Sequence, residues 1–194
     1  STISHPASGL EADAASLARI PHCSADEDWR CRRVPLADEF FFIAHEVQTG
    51  KLRLNARSAG LGLAGGLLGE LVLHGNIDVA NGTLTVVDGQ AVPEDDLGYR
   101  ILRQLAADRQ NRSLRTWLLF FSQGALERVG VRLSRAGHVE PSKTRRPWGT
   151  VVRYMPTDVN MAVWPADRLN VLVGRGDPLD FPDAMLAGLV AVTG

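Results

Sequence analysis

Three glycines have the spacing that a dinucleotide-binding loop requires. Gly60, Gly62 and Gly65 spell G-x-G-x-x-G, which lets a backbone approach a pyrophosphate at the start of a helix. Such a site also needs a buried apolar strand leading directly into the glycines and an acidic residue roughly 20 positions later. The preceding LRLNARSA is polar, and Asp78, at a tolerable distance, falls in a predicted hairpin. The sequence therefore does not predict a dinucleotide site.

The same glycines continue into an apolar run. Gly62 and Gly66 are four positions apart, and so are Gly65 and Gly69, a spacing that clears a helix face for close backbone contact. Each glycine costs roughly 0.5–1 kcal/mol of helix propensity, which tight packing must offset. We predict a closely packed helix over residues 59–73, with Ser58 as its N-cap.

The sequence also lacks the residue patterns of other kinds of catalytic site. The five histidines are dispersed, and the sequence contains neither HExxH nor G-x-S-x-G. The two cysteines, Cys23 and Cys31, lie near the N-terminus and are expected to be solvated thiols. The acidic run 94–96 is expected to be a loop with a helix N-cap. We predict a protein that is not an enzyme, with no catalytic residue, no cofactor and no metal site.

A helix followed by a hairpin is also typical of winged-helix DNA-binding domains. A DNA-reading helix needs basic residues, and residues 59–73 contain none. The formal net charge of -1 gives no general attraction to nucleic acid. We predict no nucleic-acid partner.

These residues must be positioned by a mainly helical fold. We expect residues 1–34 to be a flexible leader and 35–194 to be a single-domain helical bundle, with amphipathic helices around a central Gly-rich helix and two small β-hairpins. The first helix should begin at Pro35, with Asp38 and Glu39 favouring its positive end. Its buried stripe is predicted to be Leu36, Phe40, Ile43 and Ala44. The other predicted elements are a short strand at 51–54, hairpins at 77–87 and 144–155, and helices at 97–105, 114–121, 126–133, 162–173 and 182–192.

No apolar stretch reaches the roughly 20 residues that span a bilayer, and no secretory signal is recognisable. We expect a cytoplasmic protein. If it contacts a membrane, we expect the contact to be peripheral and on the cytoplasmic face.

The order of these elements resembles the Golgi phosphoprotein 3-like family in its shorter bacterial form. The resemblance covers almost everything from Pro35 onward, and the order and spacing of its segments are more specific than any one motif. The matching segments are LADEFFFIAHEVQTGKL (36–52), GLGLAGGLLGELVLHGNI (60–77), GTLTVVD (82–88), LRTWLLFFSQGALERVGVRLSRAG (114–137), RPWGTVVRYMPTD (146–158) and GDPLDFPDAMLAGLVAVTG (176–194).

The resemblance implies a mainly α-helical peripheral membrane protein that acts as a non-enzymatic adaptor. Eukaryotic members bind phosphatidylinositol 4-phosphate and retain Golgi glycosyltransferases through their cytoplasmic tails. A hairpin, here about 145–154 with Arg145, Arg146 and Trp148, supports self-association, a protein partner or membrane insertion. Family members usually continue into further helices, so we expect the domain to be truncated at Gly194.

The phosphoinositide headgroup site of the eukaryotic members is altered here. Four contact positions, a tryptophan and three basic residues, fall on Asn55, Ala64, Gln123 and Leu126. Each lost charge-assisted donor is worth roughly 1.5–3 kcal/mol, so eukaryote-like affinity for phosphatidylinositol 4-phosphate is not expected.

Other basic residues offer compensation. Candidates for an anionic phospholipid or phosphoinositide headgroup are Lys51, Arg53, Arg57, Arg128 and Arg132, with Arg135 on the same predicted helix face as Arg128. Two interpretations stay open: that these residues bind phosphate, or that they are solvated surface charges. The corresponding alternative function is a protein-interaction or oligomerisation module that binds no lipid.

Overall fold

The computed structural model describes residues 34–146 and 149–194, which form seven α-helices and two antiparallel hairpins. The elements are α1 (Leu36–Ala44), α2 (Ala56–Leu73), β1 (Ile77–Ala80), β2 (Thr83–Val86), α3 (Asp96–Ala107), α4 (Leu114–Ser122), α5 (Ala125–Arg135), β3 (Val139–Arg146), β4 (Gly149–Pro156), α6 (Val159–Arg175) and α7 (Phe181–Thr193). The predicted mainly α single domain with two small hairpins is confirmed. Residues 1–33 of the expected leader, with both cysteines, lie outside the described residues, and so does Trp148.

Helix α2 is the central element, and its glycines face several neighbours. A Cβ atom added at Gly66 would lie 2.8 Å from the Cα atom of Ala37 in α1. One added at Gly65 would lie 2.6 Å from the side chain of Leu189 in α7. The predicted packing role of these glycines is confirmed, and they clear more than one face of α2.

Within the described part of the chain, α2 is also the single helix with the length and apolar composition to cross a bilayer. However, 61% of its 18-residue window is buried inside the domain, as in a core helix.

Helix α1 is buried on almost every side. Leu36, Phe40 and Ala44 of the predicted stripe lie in the core, but Ile43 is only half-buried. Phe41 and Phe42, on other faces, are buried as well. The single-stripe prediction was too narrow because α1 packs against α2, α6 and α7 together.

Two local predictions before α2 were wrong. The N-cap is Asn55, whose side-chain oxygen accepts a hydrogen bond from the backbone N–H of Ser58 at 2.8 Å. Ser58 lies in the first turn instead. Residues 51–54 form no strand, because the extended chain there makes only an isolated bridge between Leu52 and His45.

Both predicted hairpins are present. The β1–β2 turn is Asn81 and Gly82, with positive φ of 51° and 74°, as a tight two-residue hairpin requires. The β3–β4 hairpin is longer than predicted, with eight pairs from Val139↔Pro156 to Arg146↔Gly149. Val139 and Tyr154 are buried, and they anchor its base in the core.

Candidate functional site

The end of α4 packs against the first turns of α2. A Cβ atom added at Gly60 would lie 2.8 Å from the carbonyl oxygen of Ser122, so glycine is needed for this approach. The contact joins two sequence segments, 47–69 and 110–126, which contain no Asp or Glu. They carry five cations. Lys51, Arg53 and Arg57, which we call the basic end, lie before and at the start of α2, whereas Arg112 and Arg115 lie at the end of α4 that is far from Ser122, and Arg112 lines a surface hollow with Asp108. All charged residues of these two segments are therefore basic, although Glu46 lies opposite Lys51, where its backbone N–H donates to the carbonyl oxygen of Lys51 at 2.8 Å.

The predicted headgroup candidates of the basic end are exposed. No carboxylate of residues 34–146 and 149–194 forms an ion pair with Lys51, Arg53 or Arg57. The backbone N–H of Arg53 donates to the carbonyl oxygen of Ala44 at 2.8 Å, which fixes this segment to the end of α1. Within 34–146 and 149–194, no carboxylate therefore competes with an external anion for these three cations.

Arg128 is brought to the same region by a hydrogen bond. Its guanidinium donates to the carbonyl oxygen of Gln123, the residue that follows α4. Gln123 adjoins Ser122 and hence the contact with Gly60. Arg128 is exposed and, within the described chain, has no ion-pair partner.

The four positions that correspond to the eukaryotic headgroup contacts divide between surface and interior. Asn55 and Gln123 are exposed, and Asn55 is occupied as the cap of α2. Ala64 has no exposed surface, and Leu126 is half-buried against the core. A cation in place of Ala64 would thus have to leave the interior to reach a headgroup.

Arg132 does not join the basic end, although it was a headgroup candidate. Its side chain is only 13% exposed. Its guanidinium donates to Asp38 at 2.7 and 3.0 Å and twice to Glu70 at 2.9 Å. Sequence reasoning placed Arg132 outside because an arginine is ordinarily solvated, whereas here two buried carboxylates hold it. We call Arg132, Asp38 and Glu70 the Arg132 cluster.

Burial dominates the ionisation of the Arg132 cluster. Desolvation raises the pKa of Asp38 to about 7, although Arg132 lowers it in part. Desolvation also opposes the charge of Arg132, but its bonds to Glu70 and Asp38 outweigh this and raise its pKa. A carboxyl group of the core is therefore poised to exchange a proton near neutral pH.

A second buried arginine was missed entirely. Arg168 of α6 donates to both oxygens of Glu39 at 2.7 and 3.0 Å and to Asp183 of α7 at 3.0 Å. We call these three residues the Arg168 cluster. The available signal was the pair Asp38 and Glu39, which stands directly before the buried run FFFIA.

A surface groove of about 370 Å³ lies between α3 and α5. Arg128, Arg132 and Arg135 line one side, so the predicted shared face of Arg128 and Arg135 is present. Acidic residues line the groove as well, namely Asp95, Asp96 and Glu127. Its mixed charge makes it a weaker candidate for an anion than the basic end.

The family model for Golgi phosphoprotein 3 (GPP34) matches residues 36–194. The chain belongs to this family. No curated protein matches it. Membership in this family is consistent with a non-enzymatic, Golgi-associated adaptor.

The hairpin that the family resemblance singles out extends away from its buried base. Arg145 is exposed, and the backbone of Arg146 pairs with Gly149 next to the turn. Val151 and Val152 are 42% and 39% exposed, although they point to opposite faces of β4. These valines leave apolar surface on both faces of the hairpin.

Proposed function

We propose that this protein is a non-enzymatic peripheral membrane adaptor whose basic end contacts anionic phospholipid headgroups on the cytoplasmic face of a membrane. One observation carries the proposal: Lys51, Arg53 and Arg57 are exposed around the start of α2, where the end of α4 packs against Gly60, and neither of the two contacting segments contains an acidic residue. Lys51, Arg53 and Arg57 have no ion-pair partner among the described residues, so headgroups would not have to displace one.

The contact is electrostatic and delocalised, unlike a built phosphoinositide pocket. Asn55 caps α2 and Ala64 is buried, so neither supplies a donor to a headgroup phosphate. Several exposed cations near an anionic surface contribute about 1 kcal/mol each, with little preference among headgroups of equal charge. We therefore expect selection by lipid charge more than by lipid identity.

Vesicle co-sedimentation tests the proposal. Arg53→Ala/Arg57→Ala should weaken binding to phosphatidylserine-containing phosphatidylcholine vesicles about thirtyfold, because two contributions of about 1 kcal/mol are lost. Arg103→Ala/Arg175→Ala is the matched control, since it removes two exposed charges from α3 and α6. Raising the salt concentration should weaken the wild-type interaction. Equal recovery of wild type with neutral and anionic vesicles would refute a headgroup contact.

A second candidate function is a protein-interaction or self-association module without lipid binding. The exposed valines of the β3–β4 hairpin favour it, because apolar side chains on a protruding hairpin suit a protein interface. Sedimentation equilibrium of wild type and Val151→Ser/Val152→Ser tests it. A wild-type oligomer that the double variant dissociates would support self-association, and a wild-type monomer would exclude it.

A further inference from the structure

Beside the basic end, helix α4 leaves two large apolar side chains in solvent. Leu119 is 41% exposed and Phe120 is 49% exposed. The opposite face of the helix is occupied in the core, where Trp117 and Phe121 stack with ring centroids 5.4 Å apart. The two outward residues are adjacent in sequence and lie on the solvent side of one short helix. They therefore form a single apolar tip.

Short-range contacts within residues 111–121 hold the tip in place. The ring of Phe120 makes edge contacts with Trp117 at 5.7 Å and with Phe121 at 5.2 Å between centroids. The indole N–H of Trp117 donates to the carbonyl oxygen of Asn111 at 2.8 Å, and Ser113 caps the helix through the N–H of Thr116. A rigid tip loses little conformational entropy when it enters another phase.

The charged residues that border the tip are basic. Arg115 is one helical turn before Leu119, so both lie on the same side of α4. At the other end of α4, Arg128 bonds the carbonyl oxygen of Gln123, three residues after Phe120. The segment 110–126 has no acidic residue. Apolar side chains bordered by arginines that form no ion pair with a carboxylate of the described residues match an anionic bilayer, with acyl chains below a layer of negative headgroups.

We propose that Leu119 and Phe120 insert into the headgroup–acyl boundary of an anionic bilayer while the basic end holds the headgroups. This inference rests on the proposed function and adds to it the element that enters the membrane. It assigns insertion to α4, whereas the family resemblance directs attention to the β3–β4 hairpin. The two elements can be tested separately because α4 and the β3–β4 hairpin are separate segments of the chain.

The first test is binding. Leu119→Ser/Phe120→Ser should reduce affinity for phosphatidylserine-containing vesicles about tenfold or more, because the buried apolar area is lost. Val171→Ser/Phe181→Ser is the matched control, since these residues of α6 and α7 are 48% and 58% exposed. The control should bind like wild type. Circular dichroism of both variants checks that the fold is kept.

The second test is depth of insertion. Phe120→Trp places an indole at the tip, and its fluorescence should be quenched by brominated acyl chains in anionic vesicles beyond the quenching of wild type. Phe181→Trp, on α7, should show no added quenching. Val151→Ser/Val152→Ser should retain the Phe120→Trp quenching if α4 inserts independently of the hairpin.

The outcomes separate the two proposals. If wild type binds no vesicle, both the proposed function and the insertion of α4 are refuted. If wild type binds anionic vesicles but the Leu119/Phe120 double variant binds equally well and Phe120→Trp is not quenched, only the insertion is refuted. If the hairpin variant alone loses binding, insertion belongs to the hairpin, and the assignment to α4 is wrong.

Discussion

Arg132 and Arg168 each carry a guanidinium to a carboxylate of α1, but they do so in different surroundings. Arg168 is 5% exposed and grips both oxygens of Glu39, with Asp183 beside it. Arg132 is 13% exposed, lies at the surface groove and has Asp95, itself 40% exposed, 3.6 Å away. The neighbouring carboxylates Asp38 and Glu39 thus belong to one cluster that reaches the surface and one that is closed.

The difference concerns how each cluster can adapt when it is disturbed. In the Arg132 cluster, the pKa of Asp38 is about 7, so this carboxyl can become neutral at little cost. Water in the groove can also solvate a group that has lost its partner. The Arg168 cluster is closed on all three side chains, each 5% exposed or less. We infer that the Arg168 cluster links α1, α6 and α7, and that the link between Arg132 and α1 depends on the protonation of Asp38.

The largest expected effect comes from breaking the closed cluster. Arg168→Met should lower the free energy of unfolding by about 3–5 kcal/mol, because it removes a buried guanidinium that donates to both Glu39 and Asp183. Urea unfolding followed by circular dichroism at pH 7 measures the loss. Arg175→Met, an exposed position on the same helix, should change stability by less than about 0.5 kcal/mol.

Arg132→Met should cost less, about 2–3 kcal/mol at pH 7. Asp38 can take up a proton when its arginine is removed, and the groove admits water to the remaining carboxylates. The same urea experiment applies, with Arg135→Met as the control on the same helix. A loss equal to or larger than that of Arg168→Met would show that access to the groove gives the cluster no relief.

Local signals predicted most of the fold. The dipeptide Asn81 and Gly82 specifies the β1–β2 turn, and the periodic apolar residues of α3, α4 and α5 specify their helices. The N-cap of α2 was misplaced because Asn55 and Ser58 are both good capping residues, three positions apart, and hydrogen bond to each other. Here the choice between the two depends on tertiary contacts that local propensity does not contain.

The candidate site was less predictable, because its charges are sorted by contacts across the chain. Arg132 meets Asp38 over 94 positions, and Arg168 meets Glu39 over 129. From sequence, Asp38 and Glu39 suited the positive end of a helix, and Arg132 resembled its exposed neighbours Arg128 and Arg135. A charge next to aromatic residues can be solvated or paired inside. The sequence alone did not decide between these states.

The proton-linked character of the Arg132 cluster predicts a pH dependence. Asp38 has a pKa of about 7 in the folded protein against an ordinary value of 3.8, so the folded protein binds more protons than the unfolded chain between these values. The stability that Asp38 contributes is fully present below about pH 4 and is lost as the pH rises through about 7. Relative to Asp38→Asn, wild type should lose about 1.5 kcal/mol between pH 5.5 and 7.

The comparison with Asp38→Asn is necessary because a second buried group, His45, makes stability change with pH in the opposite direction. Burial lowers the pKa of His45, although its bond to the carbonyl oxygen of Phe41 opposes this. His45 therefore contributes stability that is lost as the pH falls, but it is present in both proteins and cancels in the difference. Urea unfolding of the pair across this range measures the term. A difference that stays constant with pH would remove Asp38 as a proton-binding group.

The smallest change concerns Glu70, which distinguishes burial from repulsion as the cause of the Asp38 pKa. Glu70 accepts bonds from Arg132 and from the backbone N–H of Ala37 at 2.8 Å, and its charge adds to the raised pKa of Asp38. Glu70→Gln keeps an acceptor oxygen but removes the charge, so stability at pH 7 should change by less than about 1 kcal/mol.

As the pH rises, the difference in stability between wild type and Asp38→Asn stops changing near the pKa of Asp38. In the Glu70→Gln background this pH should be lower by less than about one unit, because desolvation remains the larger cause of the raised pKa. Glu127→Gln removes a charge that lines the same groove without a bond to Arg132, and should leave that pH unchanged. A decrease of two units or more would instead make repulsion between carboxylates the dominant cause. The contrast with Arg168 would then rest on the number of neighbouring charges more than on access to solvent.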